Sequence, residues 1–182
     1  MNTETLPPSS TQSADTAWRG RVEHLHLCPR AFLPMRGFTE IELLAGKGIV
    51  GDRYMNASGF YSHKPEEGRQ VTLFEVEALD AIYAESGIRF GPEEHRRNVT
   101  VRGVPLNSLV GKRFWLGSTL LEATRLSVPC RHIEEVTGKP VFDAMLGRSG
   151  LNCRILTGGI VRIGDPLFPA DASHDDANRD AA

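Results

Sequence analysis

Arg113-Phe114-Trp115-Leu116-Gly117-Ser118-Thr119-Leu120-Leu121-Glu122-Ala123-Thr124-Arg125-Leu126-Ser127-Val128-Pro129-Cys130 is the stretch that decides the fold. Two β-rich runs, 113–116 and 119–126, flank Gly117-Ser118, a two-residue turn signal for a hairpin. The second run stops at Pro129, which lacks a backbone donor and biases Val128 away from the helical region. Ile133 and Val136 then follow at helical spacing. Cys130 therefore stands near the first turn of a helix, beside Arg131 and His132. A thiol in that setting is where a thiolate is stabilised, and thiolates attack electrophiles and bind soft metals. Free cysteine is also among the most buried residue types, so packing is the competing reading. The neighbourhood alone does not choose between them.

Working outward, Trp18 to Leu27 alternates as a strand does, and Phe38 to Leu44 is a second strand candidate. Residues 46–52 turn the chain, and 56–68 read as a loop. Gln70 to Leu73 is strand-like. Thr72-Leu73-Phe74-Glu75 matches a capping box for a helix through Val76, Leu79, Ile82 and Tyr83, stopped by Gly87. Asn98 to Val101 is another strand. Short helices are expected at 133–137 and 141–146, around Gly138 and Pro140. Leu151 to Leu156 and Ile160 to Ile163 flank Thr157-Gly158-Gly159 as a second hairpin. Many short strands, close turns and few helices predict a mainly β fold, a barrel with peripheral α-helices.

The 182 residues include two ends, 1–16 and 171–182, with too little apolar surface to offset ordering entropy. They are expected to be disordered tails around one domain over 17–170. Net charge is −2. Setting aside the charged side chains of the tails leaves 20 basic and 17 acidic groups, a balance of +3. That allows a local anion site and argues against a broad nucleic-acid surface. No basic region followed by an apolar stretch opens the sequence, and no run approaches the ~18 apolar residues of a membrane span. Cys28, Cys130 and Cys153 are odd in number and form no CxxC pair, which suits a reducing cytoplasm better than a disulfide framework.

Gly46, Gly48 and Gly51 fit GxGxxG in form. The dinucleotide reading fails for want of an immediate helix and a βαβ unit. His24, His26 and Cys28 fall on one strand face and are all zinc-ligand types, but closing a tetrahedral site needs a fourth group from elsewhere. A polar strand face is the favoured reading. Arg69, Arg96, Arg97, Arg131, His132, Arg148 and Arg154 lie near predicted element ends. With Asn98 and Cys130 they are candidates for an anion pocket holding a thiolate, since Arg binds phosphate or carboxylate in a fork.

Several segments occur in an order that resembles MOSC domains, the molybdenum cofactor sulfurase C-terminal domains, in a stand-alone bacterial-type form. They are Gly48-Ile49-Val50-Gly51-Asp52-Arg53, Gly68-Arg69-Gln70-Val71-Thr72-Leu73, Arg96-Arg97-Asn98-Val99 with Gly103, and Val110-Gly111-Lys112-Arg113-Phe114. Pro129-Cys130, Arg148-Ser149-Gly150-Leu151 and the run from Gly158 to Asp165 complete the series. The resemblance covers about residues 18–168 and implies a β-barrel with Cys130 as the family's central cysteine.

It further implies a molybdenum cofactor, an oxo-molybdenum centre on a molybdopterin dithiolene with Cys130 as metal ligand. The implied reaction reduces small N-hydroxylated compounds, among them hydroxylaminopurine-type bases and amidoximes. Cys130 and His132 would be catalytic, His132 as the proton donor. Arg69, Arg97, Asn98, Arg131, Arg148 and Gly150 would bind the cofactor. A separate reductase would supply electrons, since no flavin, haem or iron-sulfur signature is present. Neither a membrane nor a nucleic-acid polymer is expected as a partner, and the oligomeric state is left open, a homodimer included. The alternative is a non-catalytic cofactor carrier or persulfide sulfur-carrier module. Two departures stand out. Many close relatives carry a second cysteine three positions before the central one, where this chain has Ser127. Many have Gly-Gly after the later arginine, where it has Ser149-Gly150.

Overall fold

The computed structural model describes residues 18–170. The strands are β1 (Gly20–Leu27), β2 (Arg36–Phe38), β3 (Glu40–Leu44), β4 (Gly48–Ile49), β5 (Val71–Glu75), β6 (Val99–Arg102), β7 (Arg113–Leu116), β8 (Thr119–Leu126), β9 (Leu151–Thr157), β10 (Gly159–Arg162) and β11 (Pro166–Pro169). The helices are α1 (Val76–Ser86) and α2 (Arg131–Thr137). The expected tails lie outside the described residues. Among those described, no helix is long and apolar enough to cross a membrane.

Seven strands close a barrel in the order β1-β11-β7-β8-β9-β5-β6 and back to β1. The decisive hairpin forms as read, with Leu116 opposite Thr119 and Arg113 opposite Glu122. All barrel neighbours run antiparallel except β5 and β6. A parallel pair cannot be joined by a tight turn. Here α1 lies in the connection, and Gly87 ends it at φ 70°. Apolar side chains fill the barrel, among them Leu25, Leu73, Val99, Phe114, Leu121 and Leu151. Phe74, Ala78, Ile82, Ile133, Val141 and Met145 form a second core where the two helices pack. Strand β5 is therefore buried on both faces, with Leu73 in the first core and Phe74 in the second.

Three local expectations are corrected. Thr72 is no helix cap. It sits in β5, its hydroxyl donates to Asn98, and Glu75 caps α1 without a side-chain bond. Pairing with both β6 and β9 holds these residues extended. The second hairpin does not form either, because β10 leaves β9 to pair with β3. Gly158 permits the exit: a Cβ there would stand 2.5 Å from the Leu43 carbonyl oxygen. The 141–146 helix is only a short 3-10 turn at Asp143–Met145.

One other reading holds. Gly48–Ile49 pairs with β3 and leads into turns rather than a helix, as the rejection of a dinucleotide loop requires. His24 is exposed while His26 and Cys28 are buried. Among the described residues no three His, Cys, Asp or Glu side chains cluster as a metal site.

Candidate functional site

One end of the barrel gathers the start of β5 at Thr72, Asn98 before β6, the end of β1 at His26, and the β8–β9 pairing at Arg125 and Asn152. Asn98 ties this end together. Its side-chain carbonyl accepts from the Thr72 backbone N–H at 3.3 Å and hydroxyl at 2.8 Å. Its amide donates to the Asp52 carboxylate at 3.1 Å and to the His26 carbonyl at 3.3 Å. Buried polar groups must be paired, and here the pairing knits β1, β5, β6 and the Asp52 turn into one floor.

A cleft of about 100 Å³ opens above that floor. Five guanidiniums line it, from Arg53, Arg69, Arg96, Arg97 and Arg125, and no carboxylate does. Two have acidic partners: Arg53 meets Asp52 at 3.3 Å and Arg125 meets Glu66 at 2.6 Å. The other three are held by neutral acceptors. Arg69 donates to the Tyr61 and Lys64 carbonyls and stacks over Tyr54, 4.7 Å from the ring centre. Arg96 donates to the Leu33 carbonyl at 2.8 Å and to the Cys28 sulfur at 3.7 Å. Arg97 donates to the Ser149 carbonyl, the Ser149 hydroxyl and the His95 carbonyl. Among the described residues none of these three pairs with a carboxylate.

The backbone around the arginines is strained and locked. Arg96 sits at φ 62°, a left-handed conformation that costs a bulky residue about 1 kcal/mol or more. The Arg53 guanidinium caps its carbonyl at 2.9 Å. The Arg97 backbone N–H donates to His95 Nδ1 at 2.9 Å, and His95 Nε2 bonds the Thr100 hydroxyl at 2.9 Å. Complete burial, with Arg97 nearby, holds His95 well below the usual histidine range. Burial also pulls the Arg97 guanidinium down to about 10, which leaves it charged at neutral pH.

Cys130 lines the same cleft as the residue before α2 and is partly exposed, whereas Cys28 and Cys153 are buried. Burial pushes the Cys153 thiol up. Tyr61 lines the cleft together with Cys130. Burial first, and then the neighbouring Cys130, raise Tyr61 to about 12. The phenol therefore keeps its proton at neutral pH. His132 stacks flat on Phe60 at 4.4 Å and meets Phe32 edge-on at 4.5 Å. Its Nδ1 has no hydrogen-bond partner, and Glu135 Oε2 stands 3.6 Å off. Burial, then Arg96, lowers its basicity, which favours the neutral ring at pH 7.

Of the residues singled out from sequence, Cys130, His132, Arg69, Arg96 and Arg97 converge on the cleft. Asn98 lies beneath it. Gly150 lies beside it, at φ 89°, where a Cβ would stand 2.1 Å from the Leu73 carbonyl oxygen. Its role is this close approach of β9 to β5. Arg131 points away, stacked on Phe142 and paired with Glu134. Arg148 is spent on Glu85 of α1, two bonds of 2.9 Å. Arg154 pairs with Glu122 and Glu67. The departures also find places. Ser127 lines the cleft and donates to Asn152 at 3.2 Å. Ser149 needs no glycine conformation, since the positive φ falls on Gly150, and its hydroxyl serves Arg97.

Arg53, Tyr54, Phe60, Tyr61 and Arg125 were not picked out from sequence. The interleaving of aromatics with Arg53 and Arg69 was the available signal, but loops lack a periodicity that predicts where side chains converge.

Comparison with known proteins agrees with the barrel. The YuaD protein from Bacillus subtilis is similar at 24% identity with a TM-score of 0.70, over 83% of this chain and 97% of that one. YiiM from Geobacillus stearothermophilus gives 14% identity and a TM-score of 0.65, over 84% of this chain and 75% of that one. YiiM from Escherichia coli gives 16% and 0.60, over 86% and 71%. No curated protein matches the sequence significantly. The MOSC domain family matches residues 60–168, which hold Cys130 and four of the five cleft arginines. The chain belongs to the MOSC domain family.

Proposed function

We propose that the cleft binds a molybdenum cofactor of the molybdopterin type and that the chain reduces N-hydroxylated compounds there. The observation that carries this is five guanidiniums and no carboxylate beside a partly exposed thiol. Three uncompensated arginines favour a bound anion such as a phosphate. The sulfur suits a soft metal. The volume of about 100 Å³ is below the roughly 300 Å³ of small enclosed ligand pockets. A cofactor would therefore lie partly in the open mouth, with its anionic and sulfur-ligated parts inside.

Bound there, the group supplies the two-electron chemistry that takes oxygen from an N-hydroxyl and leaves the amine and water. Arg69, Arg96 and Arg97 would grip its anionic end, each already fixed by neutral acceptors. Cys130 would be the protein's sulfur ligand, and Tyr61 would hold that sulfur by its O–H. His132, neutral at pH 7, would orient the N-hydroxyl by a hydrogen bond rather than act as an imidazolium. The two electrons come from a separate reductase and the two protons from water. The test is reduction of an amidoxime by the cofactor-loaded chain with an artificial electron donor. Turnover that requires Cys130 supports the reading. A loaded chain that reduces nothing contradicts it and leaves a carrier role.

A further inference from the structure

The cleft has two chemically distinct zones. Arginines line one part of it, and aromatic and aliphatic side chains, Phe60, Val128 and Ile133 among them, line another. Phe60, 39% exposed, and Val128, 70% exposed, line the cleft with Cys130, and Phe32, 61% exposed, packs against the cleft-lining Phe60 and His132. Exposed apolar side chains scattered singly need no explanation, but three gathered at one mouth do.

Phe32 is held there at a cost. It sits at φ 65°, which a β-substituted residue adopts only when its surroundings force it. The forcing contacts are visible. The Cys28 thiol donates to the Arg30 and Leu33 carbonyls, Arg96 grips the Leu33 carbonyl, and the Ala31 N–H donates to the Ser58 carbonyl. The Ser58 hydroxyl donates back to Pro29. Two loops, carrying Phe32 and Phe60, are thus laced together over His132. That histidine is only 8% exposed, its ring against both Phe60 and Phe32 and its Nδ1 3.6 Å from Glu135 Oε2.

We infer that this apolar zone is a recognition surface for the flat apolar body of the substrate, and that the chain selects aryl over small alkyl N-hydroxylated compounds. The inference rests on the proposed function. A ring laid on Phe32, Phe60 and Val128 covers the exposed apolar surface and gains the edge or offset contacts that aromatic pairs favour. Its polar N-hydroxyl end is then within the zone of His132 and Cys130. An alkyl compound of the same polar end covers little of the apolar zone.

The test uses the cofactor-loaded full chain with benzamidoxime and acetamidoxime as probes. Saturation-transfer NMR reads binding of the ring, and steady-state kinetics read the aryl-to-alkyl ratio of kcat/KM. Phe32→Ala should weaken benzamidoxime binding about tenfold and lower that ratio by a similar factor through KM. Val128→Ser should act in the same direction with a smaller effect. Both side chains are exposed, so unchanged melting temperatures separate recognition from folding. Unaltered ring binding and an unaltered ratio in both variants would overturn the inference. A wild-type chain that binds the benzamidoxime ring at Phe32 but reduces neither probe would overturn the proposed reaction and leave the assignment of the apolar zone standing.

Discussion

Arg97 closes a two-point hold on Ser149, its Nε on the carbonyl at 3.0 Å and its Nη2 on the hydroxyl at 2.9 Å. Ser149, which stands where the family resemblance implies a glycine, thus provides an acceptor for a cleft arginine. Arg97 leaves a cleft-lining surface while its other edge is fixed, a pre-organised cation that needs little ordering when an anion arrives.

Ser149→Ala should remove one of those bonds. The expected loss is about 1 kcal/mol of stability, as for a typical hydrogen bond. Urea unfolding of Ser149→Ala beside wild type checks this, together with phosphate affinity, which should fall several-fold. Equal phosphate affinity would show that the hydroxyl does not set Arg97.

Tyr61→Phe should slow alkylation of Cys130 by iodoacetamide at neutral pH several-fold. A phenol that keeps its proton in the same cleft can donate to a thiolate, the form that attacks iodoacetamide. The ring remains to pack beside Arg69, 5.6 Å from its centre, and against Phe60. Mass spectrometry of the Cys130 peptide over time reads the rate. An unchanged rate would mean that the phenol does not tune the thiol.

Stability should fall as pH drops from 7 to 5. The folded chain holds His95 well below 6.5, and His26 and His132 below it, chiefly through burial. The unfolded chain therefore takes up protons first as pH falls below about 6.5, and the stability present above that pH is lost. The carboxylates with lowered values, Glu23, Glu66 and Glu85, act with the same sign but only below about 4.5. His95→Gln should be less stable at pH 7 yet show a shallower fall to pH 5. Parallel pH profiles of the urea midpoint would place the effect elsewhere.

Gly150→Ala should destabilise by about 2 kcal/mol or more. It combines a φ of 89° with a Cβ 2.1 Å from a backbone oxygen that cannot swing away. Gly147→Ala is the comparison. It shares a positive φ of 72°, but a Cβ there meets nothing within 4 Å. Its loss should be about 1 kcal/mol. The same melting point for both would remove the steric argument.

The barrel was legible because its strands alternate and its hairpin at Gly117-Ser118 has the right turn residues. What local reading missed was set by distant partners. The Thr72 capping box gave way to pairing with strands from both sides, and β10 was drawn to β3 rather than folding back on β9. The site shows the same limit. Cys130 was marked by its own neighbours, Pro129 and the helix beyond. Arg131 and Arg148 had similar local settings to Arg97, yet Glu134 and Glu85 draw them away. No spacing in the sequence tells which arginine meets a carboxylate and which stays unpaired.

That unpaired set leads to the most direct measurement, molybdenum and pterin content after expression in a host that makes the cofactor. Wild type should purify loaded. Arg97→Ala should lose occupancy, with affinity reduced on the order of ten- to a hundredfold for one charge-assisted contact, and Cys130→Ala should lose molybdenum. Arg148→Ala should stay loaded, because its guanidinium is engaged by Glu85 away from the cleft. Equal occupancy in all four proteins, or none in any, would contradict the assignment of this cleft to the cofactor.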